Sequence, residues 1–200
     1  MGACRDTTGR VPASVSPRLG SGPQILGKGA HAVSISLIPR GVYPSITAIP
    51  PAALRERGIR LVLADLDNTL VPYRELEPPA KLIAWKEELE TVGIALFLLS
   101  NSRKPDRPRL FAQKLGIPFL GRAGKPRRAG YFQAMERMGA GPEQTVMVGD
   151  QIFTDILGAS RAGVVPLLVE PIRLAGNPGR YLRYWGETPM RLLGRRRPFV

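Results

Sequence analysis

From Ile59 to Val169 the chain repeats one pattern five times, a short apolar run followed by a stretch of different period. The runs are Ile59–Ala64, Ile94–Leu99, Pro118–Leu120, Thr145–Val148 and Val164–Val169. Near-continuous apolar residues of strand length mark strands buried on both faces, as in a parallel sheet. The stretches between them read as helices. Leu82, Trp85, Leu89 and Val92 recur at helical spacing before Gly93; Asp106–Leu115 places Leu110, Phe111 and Leu115 inward before Gly116. A third helix runs through Phe132, Met135 and Met138, read as core residues, and a fourth opens at Thr154-Asp155 and runs to Arg161. Such alternation predicts a doubly wound, Rossmann-like α/β fold, a parallel sheet with helices on both faces and right-handed crossovers. Each connection has room for one helix, which leaves no sizeable cap domain.

The sequence outside this block divides by composition. Residues 1–32 are rich in Gly, Pro, Ser and Arg without an apolar period, which predicts a poorly ordered arm. Residues 33–58 form a lead-in, with a short apolar alternation ended by Pro39 and a short helix before Gly58. The core is assigned to 59–170. Residues 171–200 form a basic tail, with Tyr181, Tyr184 and Trp185 spaced like one helical face and arginines at 191 and 195–197.

A single Cys4 and a single His31, the latter in the least organised region, exclude a disulfide framework, a Cys/His zinc cluster and a histidine-based triad. Acid–base chemistry must then use carboxylates, and a bound metal must take oxygen ligands, which favours magnesium. The formal net charge of +13 points to anionic partners such as phosphate esters, anionic lipid or nucleic acid.

Parallel sheets hold ligands beyond the carboxyl ends of their strands. Four polar clusters fall there: Asp65-Leu66-Asp67-Asn68-Thr69 after the first run, Ser100-Asn101 after the second, Lys125-Pro126 after the third, and Gly149-Asp150 with Thr154-Asp155 after the fourth. Each by itself is also what a turn or a helix cap looks like. Together, and in this order, they resemble the four-motif pattern of the haloacid dehalogenase superfamily of phosphotransferases. The stretch from about Leu37 to Arg197 is similar to the capless, YqeG-type subfamily IIIA phosphatases, a branch that includes phosphatidylglycerophosphate phosphatases. Ser102 stands where relatives often carry a second Asn, and the arm and arginine-rich tail depart from the pattern.

The resemblance implies a magnesium-dependent phosphatase. Asp65 would attack phosphorus to form an aspartyl-phosphate, and Asp67 would protonate the leaving alkoxide, then take a proton from the hydrolysing water. Such a role requires surroundings that raise the pKa of Asp67 relative to Asp65. The implied metal ligands are Asp65, the Asp67 backbone carbonyl, Asp150 and Asp155. Ser100 and Asn101 would meet the phosphoryl oxygens, Lys125 would offset their charge, and backbone N–H groups near Asp67 and Asn68 would complete an anion nest.

A capless site suits a phosphate displayed on something large. The expected substrate is phosphatidylglycerophosphate at a membrane surface, with the basic, aromatic tail as peripheral contact. The alternatives are a soluble nucleotide, a sugar phosphate or a phosphoprotein, and, outside enzymes, a phosphate-sensing or nucleic-acid-binding module. No nucleic-acid motif accompanies the charge. Lacking a 20-residue apolar span and a signal-peptide core, the chain is expected in the cytoplasm.

Overall fold

A computed structural model describes residues 35–102, 104, 106–173, 178–195 and 199. The arm expected at 1–32 and the arginines at 196 and 197 lie outside the described residues. Six parallel strands form one sheet: β1 (Gly41–Tyr43), β2 (Leu61–Ala64), β3 (Ala95–Leu99), β4 (Phe119–Leu120), β5 (Thr145–Gly149) and β6 (Val165–Val169), in the order β1-β6-β5-β2-β3-β4. Single helices connect the strands from β2 to β6: α2 (Ala80–Thr91), α3 (Asp106–Leu115), α4 (Ala129–Met138) and α5 (Leu157–Ala162). The doubly wound reading of the sequence therefore holds, with no cap domain among the described residues.

Strand β2 is central because its Leu61-Val62-Leu63-Ala64 is apolar on both faces and wholly buried. Its partners are β3 on one side and β5 on the other. From β2 the chain winds outward through β3 and β4, then returns to build β5 and β6 on the opposite side. This reversal opens a crevice at the carboxyl end of β2, the usual place for a ligand in such a sheet. On one face Val62 and Leu98 pack with Trp85, Leu89 and Phe111; on the other Leu63 and Phe97 pack with Tyr131 and Met135.

Two inward assignments are corrected. Leu110 is exposed, and α3 buries Pro108, Phe111, Ala112 and Leu115 instead. Phe132 is exposed, because α4 turns Tyr131, Ala134 and Met135 to the sheet, a face that the adjacent position leaves by about 100°.

The flanking segments also add elements. In the lead-in, β1 pairs with β6, and helix α1 (Pro51–Glu56) is the short helix expected before Gly58. In the tail, α6 (Pro178–Arg195) brings Gly194 against Pro39 and Val42. Tyr184 and Trp185 do not share a face: Tyr184 is half-buried on Glu170, whereas Trp185 is 77% exposed. The side chain of Tyr181 lies outside the described residues.

Candidate active site

The carboxyl ends of β2, β3 and β5 deliver Asp65, Ser100 and Asp150, and the loop after β4 delivers Lys125. All four are buried although polar. Asp65 continues the pairing of β2 by donating its N–H to the Val148 carbonyl at 3.0 Å. Asp155 reaches the same place from a single π-helical turn, Ile152–Ile156, that leads into α5. One carboxylate oxygen from each of Asp65, Asp150 and Asp155 lies within 4.8 Å of the others.

Lys125 lies between two of these acids. Its Nζ is 2.6 Å from Asp65 Oδ1 and 2.7 Å from Asp155 Oδ1. Burial alone would lower its pKa, but the Asp155 and Asp65 carboxylates outweigh burial and hold the ammonium above its usual range. Burial pushes the Asp155 carboxyl up to about 6 against the opposing pull of Lys125. Three carboxylates and one ammonium leave two negative charges among buried side chains. A donor set of hard oxygens with that charge fits a divalent cation, which Asp65, Asp150 and Asp155 would hold.

Close packing fixes Asp155. Gln151 N–H donates to its Oδ2 at 3.2 Å, and the Tyr131 hydroxyl lies 3.1 Å from its backbone carbonyl. Gly149 makes room for it, since a Cβ there would overlap the Asp155 carboxylate and lie 2.6 Å from its Cβ. Gly149→Ala is therefore expected to lower stability by about 1–3 kcal/mol, the usual range for overpacking. Urea titration reads the effect; an unchanged midpoint would show that Asp155 can move aside.

Asn101 is turned toward the main chain of Lys125. Its Nδ2 donates to the Lys125 carbonyl and its Oδ1 accepts the Lys125 N–H, each at 2.8 Å. This pair fixes the lysine from behind. Ser100 Oγ accepts the Ser102 N–H at 3.1 Å, which shapes the turn after β3. Asn68 adopts a left-handed φ of 66°, tolerable for Asn, and donates its N–H to the Val71 carbonyl at 2.8 Å. That N–H is committed to the turn and does not serve the expected anion nest.

Asp67 is half-buried and meets a residue that no motif singles out. Arg107 of α3 donates from Nε and Nη2 to Asp67 Oδ1 at 3.0 and 2.8 Å, and from Nη2 and Nη1 to the carbonyls of Pro72 and Glu75. Charge-assisted bonds of this kind tie the carboxylate to Arg107. To act as an acid, Asp67 must loosen this grip. The tail also reaches the site, since buried Glu187 and Arg191 bind the main chain beside Asp150. An i,i+4 Glu–Arg pair on a basic helix reads as a solvated surface pair, so neither residue stands out in the sequence.

This geometry agrees with what the chain is similar to. A family model described as HAD-hydrolase-like matches residues 122–171. The probable phosphatase YqeG of Bacillus subtilis is 35% identical over 156 residues, covering 78% of this chain and 89% of that protein. Phosphatidylglycerophosphate phosphatase 1 of the Chlamydomonas reinhardtii chloroplast is 31% identical over 149 residues, covering 70% of this chain and 55% of its own. The cobalt-bound deoxy-D-mannose-octulosonate 8-phosphate phosphatase of Haemophilus influenzae aligns with 71% of this chain and 91% of that one, at 19% identity and a TM-score of 0.47, too loose a likeness to build on. The identity to YqeG extends over nearly the whole of that protein, and the chain belongs to the haloacid dehalogenase-like hydrolases, in the branch of phosphatases that contains YqeG.

Proposed function

We propose that the chain is a magnesium-dependent phosphomonoesterase that works through an aspartyl-phosphate on Asp65 and acts on phosphatidylglycerophosphate at a membrane surface. The observation that carries the chemistry is the convergence of Asp65, Asp150 and Asp155 at the carboxyl edge of the sheet, with Lys125 between Asp65 and Asp155. When bound there, magnesium supplies charge neutralisation for an anionic ester approaching anionic carboxylates.

The residues of the chain do the rest. Lys125, with its backbone gripped by Asn101, holds the Asp65 carboxylate in a fixed orientation for in-line attack. A bond forms from an Asp65 oxygen to phosphorus as the bond to the ester oxygen breaks, and Asp67 gives that oxygen its proton. Asp67 then takes a proton from water as the water oxygen displaces Asp65 from phosphorus, which releases inorganic phosphate and restores both carboxyl groups. Ser100 would meet a phosphoryl oxygen, and the Asp67 carbonyl would complete the ligands that hold the metal.

The lipid reading rests on the rim. Exposed Tyr73, Phe153 and Ile172 lie on the segments that follow β2, β5 and β6, at the edge that carries Asp65 and Asp150. Apolar side chains around an uncapped site suit a headgroup at an interface, and the net charge of +13 suits an anionic surface. The phosphatidylglycerophosphate phosphatase among the relatives supports the same choice. No helix among the described residues is long and apolar enough to cross a membrane.

Initial rates test the reading. With magnesium, vesicles carrying phosphatidylglycerophosphate are expected to be hydrolysed with kcat/KM on the order of 10-fold or more above soluble nucleotides, sugar phosphates and a phosphopeptide. Chelation should remove all of these activities. A preference for a soluble ester would overturn the lipid assignment, and chelator-resistant turnover would overturn the metal.

A further inference from the structure

Three consecutive residues after β5 have their main chain held by side chains from elsewhere. The Asp150 carbonyl accepts a hydrogen bond from Arg191 Nη2 at 2.6 Å, Gln151 N–H donates to Asp155 Oδ2 at 3.2 Å, and Ile152 N–H donates to Glu187 Oε1 at 3.1 Å. The first and third holders come from α6, thirty-five or more positions later in the chain. Glu187 and Arg191 also pair with each other, Oε2 to Nη2 at 3.1 Å. Glu170, just past β6, anchors the arginine from the other side at 3.3 Å and accepts the Tyr184 hydroxyl at 3.0 Å. The Arg191 guanidinium stacks 4.5 Å from the Tyr184 ring centre.

Glu187 and Arg191 are 1% and 3% exposed. A buried ion pair is a poor way to gain stability, because desolvation consumes most of the attraction and apolar residues of the same size often do as well. What this pair does that apolar residues cannot is grip a carbonyl and an N–H two residues apart. Between those grips the backbone of Asp150 has little freedom, while its carboxylate faces Asp65 and Asp155.

We propose that Glu187 and Arg191 are positioning residues that set the Asp150 carboxylate in the metal site from outside it. The pair makes α6 part of the phosphatase machinery, although neither residue touches substrate or metal. This rests on the reading of Asp65, Asp150 and Asp155 as ligands. Residues that orient metal ligands typically change metal affinity by about 10- to 100-fold when altered.

The test is magnesium binding to the whole protein by calorimetry, with melting in chelator followed by circular dichroism. Arg191→Lys keeps the charge but cannot reach Asp150, Glu187 and Glu170 together, because one ammonium replaces a planar fork. Glu187→Gln keeps the shape and an acceptor for Ile152 while weakening the tie to Arg191. Both are expected to bind magnesium about 10- to 100-fold more weakly than wild type, with Glu187→Gln still unfolding cooperatively in chelator, at a lower temperature than wild type because Arg191 loses a buried partner. Arg195→Gln, which alters a residue bonded to Glu170 but not to the loop, is expected to bind like wild type. Wild-type affinity in both Arg191→Lys and Glu187→Gln, or loss of the fold in both, would overturn the proposal. If wild type binds no more magnesium than Asp150→Asn, the metal site itself is misread, an outcome distinct from failure of the positioning role.

Discussion

Asp65→Asn is expected to abolish magnesium-dependent hydrolysis of an aryl phosphate, by on the order of 10⁴-fold or more, while leaving a folded protein. The amide matches the carboxylate in shape, so the packing at the end of β2 is kept, as is the bond from the backbone N–H to Val148. Lys125 loses one ion pair but retains Asp155 at 2.7 Å. What disappears is the proposed nucleophile, together with one of the three carboxylates that would face the metal. The companion Asp67→Asn should behave differently. An aryl phosphate has a good leaving group that needs little help from an acid, so the first displacement persists while attack by water slows. Acid-quenched Asp67→Asn is therefore expected to carry the mass of one phosphoryl group, located on Asp65 by peptide mass spectrometry, and Asp65→Asn to carry none. An active Asp65→Asn protein, or a phosphoryl group on another residue, would sink the mechanism.

What could be read from the sequence, and what could not, divides by the range of the interactions. Strands β2, β3, β5 and β6 announce themselves because burial on both faces demands unbroken apolar residues, and β2, β3 and β5 end where a polar cluster begins. Asp65, Ser100, Lys125 and Asp150 follow from that, since a parallel sheet presents all its strand ends on one edge. Strand β1 is invisible by the same logic. Its three residues have no pattern of their own and are extended because β6 offers an edge to pair with. The misplaced Leu110 and Phe132 belong to helices with apolar residues at neighbouring positions, where periodicity leaves the inward face uncertain by one step. Arg107, Glu187 and Arg191 fail for another reason. Their partners are Asp67, Ile152 and Asp150, tens of residues away, and nothing local distinguishes them from a chain otherwise full of solvated arginine.

Lys125→Met should cause the largest loss of stability of any single change at the site, about 3–5 kcal/mol. Methionine fills the lysine's volume without its charge and leaves Asp65 and Asp155 as neighbouring buried anions. For a chain of this size the melting temperature in chelator should fall by roughly 10 °C. The sign of the pH dependence separates this cause from lost packing. In the wild type the carboxylates hold the ammonium above its usual range, so its contribution persists across neutral pH and is lost only above the ordinary lysine range. Asp155 already stands at about 6 through burial, and removing the cation pushes it higher. A carboxyl whose folded pKa is raised favours the folded state below its ordinary value and loses that contribution as pH climbs through the raised one. The gap between variant and wild type should therefore narrow toward acid and widen toward neutral pH, whereas a packing defect would hold it constant. Asp155→Asn placed in the Lys125→Met background should recover much of the loss, since it removes one of the two stranded charges. Magnesium should also raise the melting temperature of Lys125→Met, because a cation bound by the same carboxylates offsets the charge that lysine had balanced. A pH-independent gap, with no recovery from Asp155→Asn, would mean that Lys125 serves the fold through its aliphatic stem and not through the charge between Asp65 and Asp155.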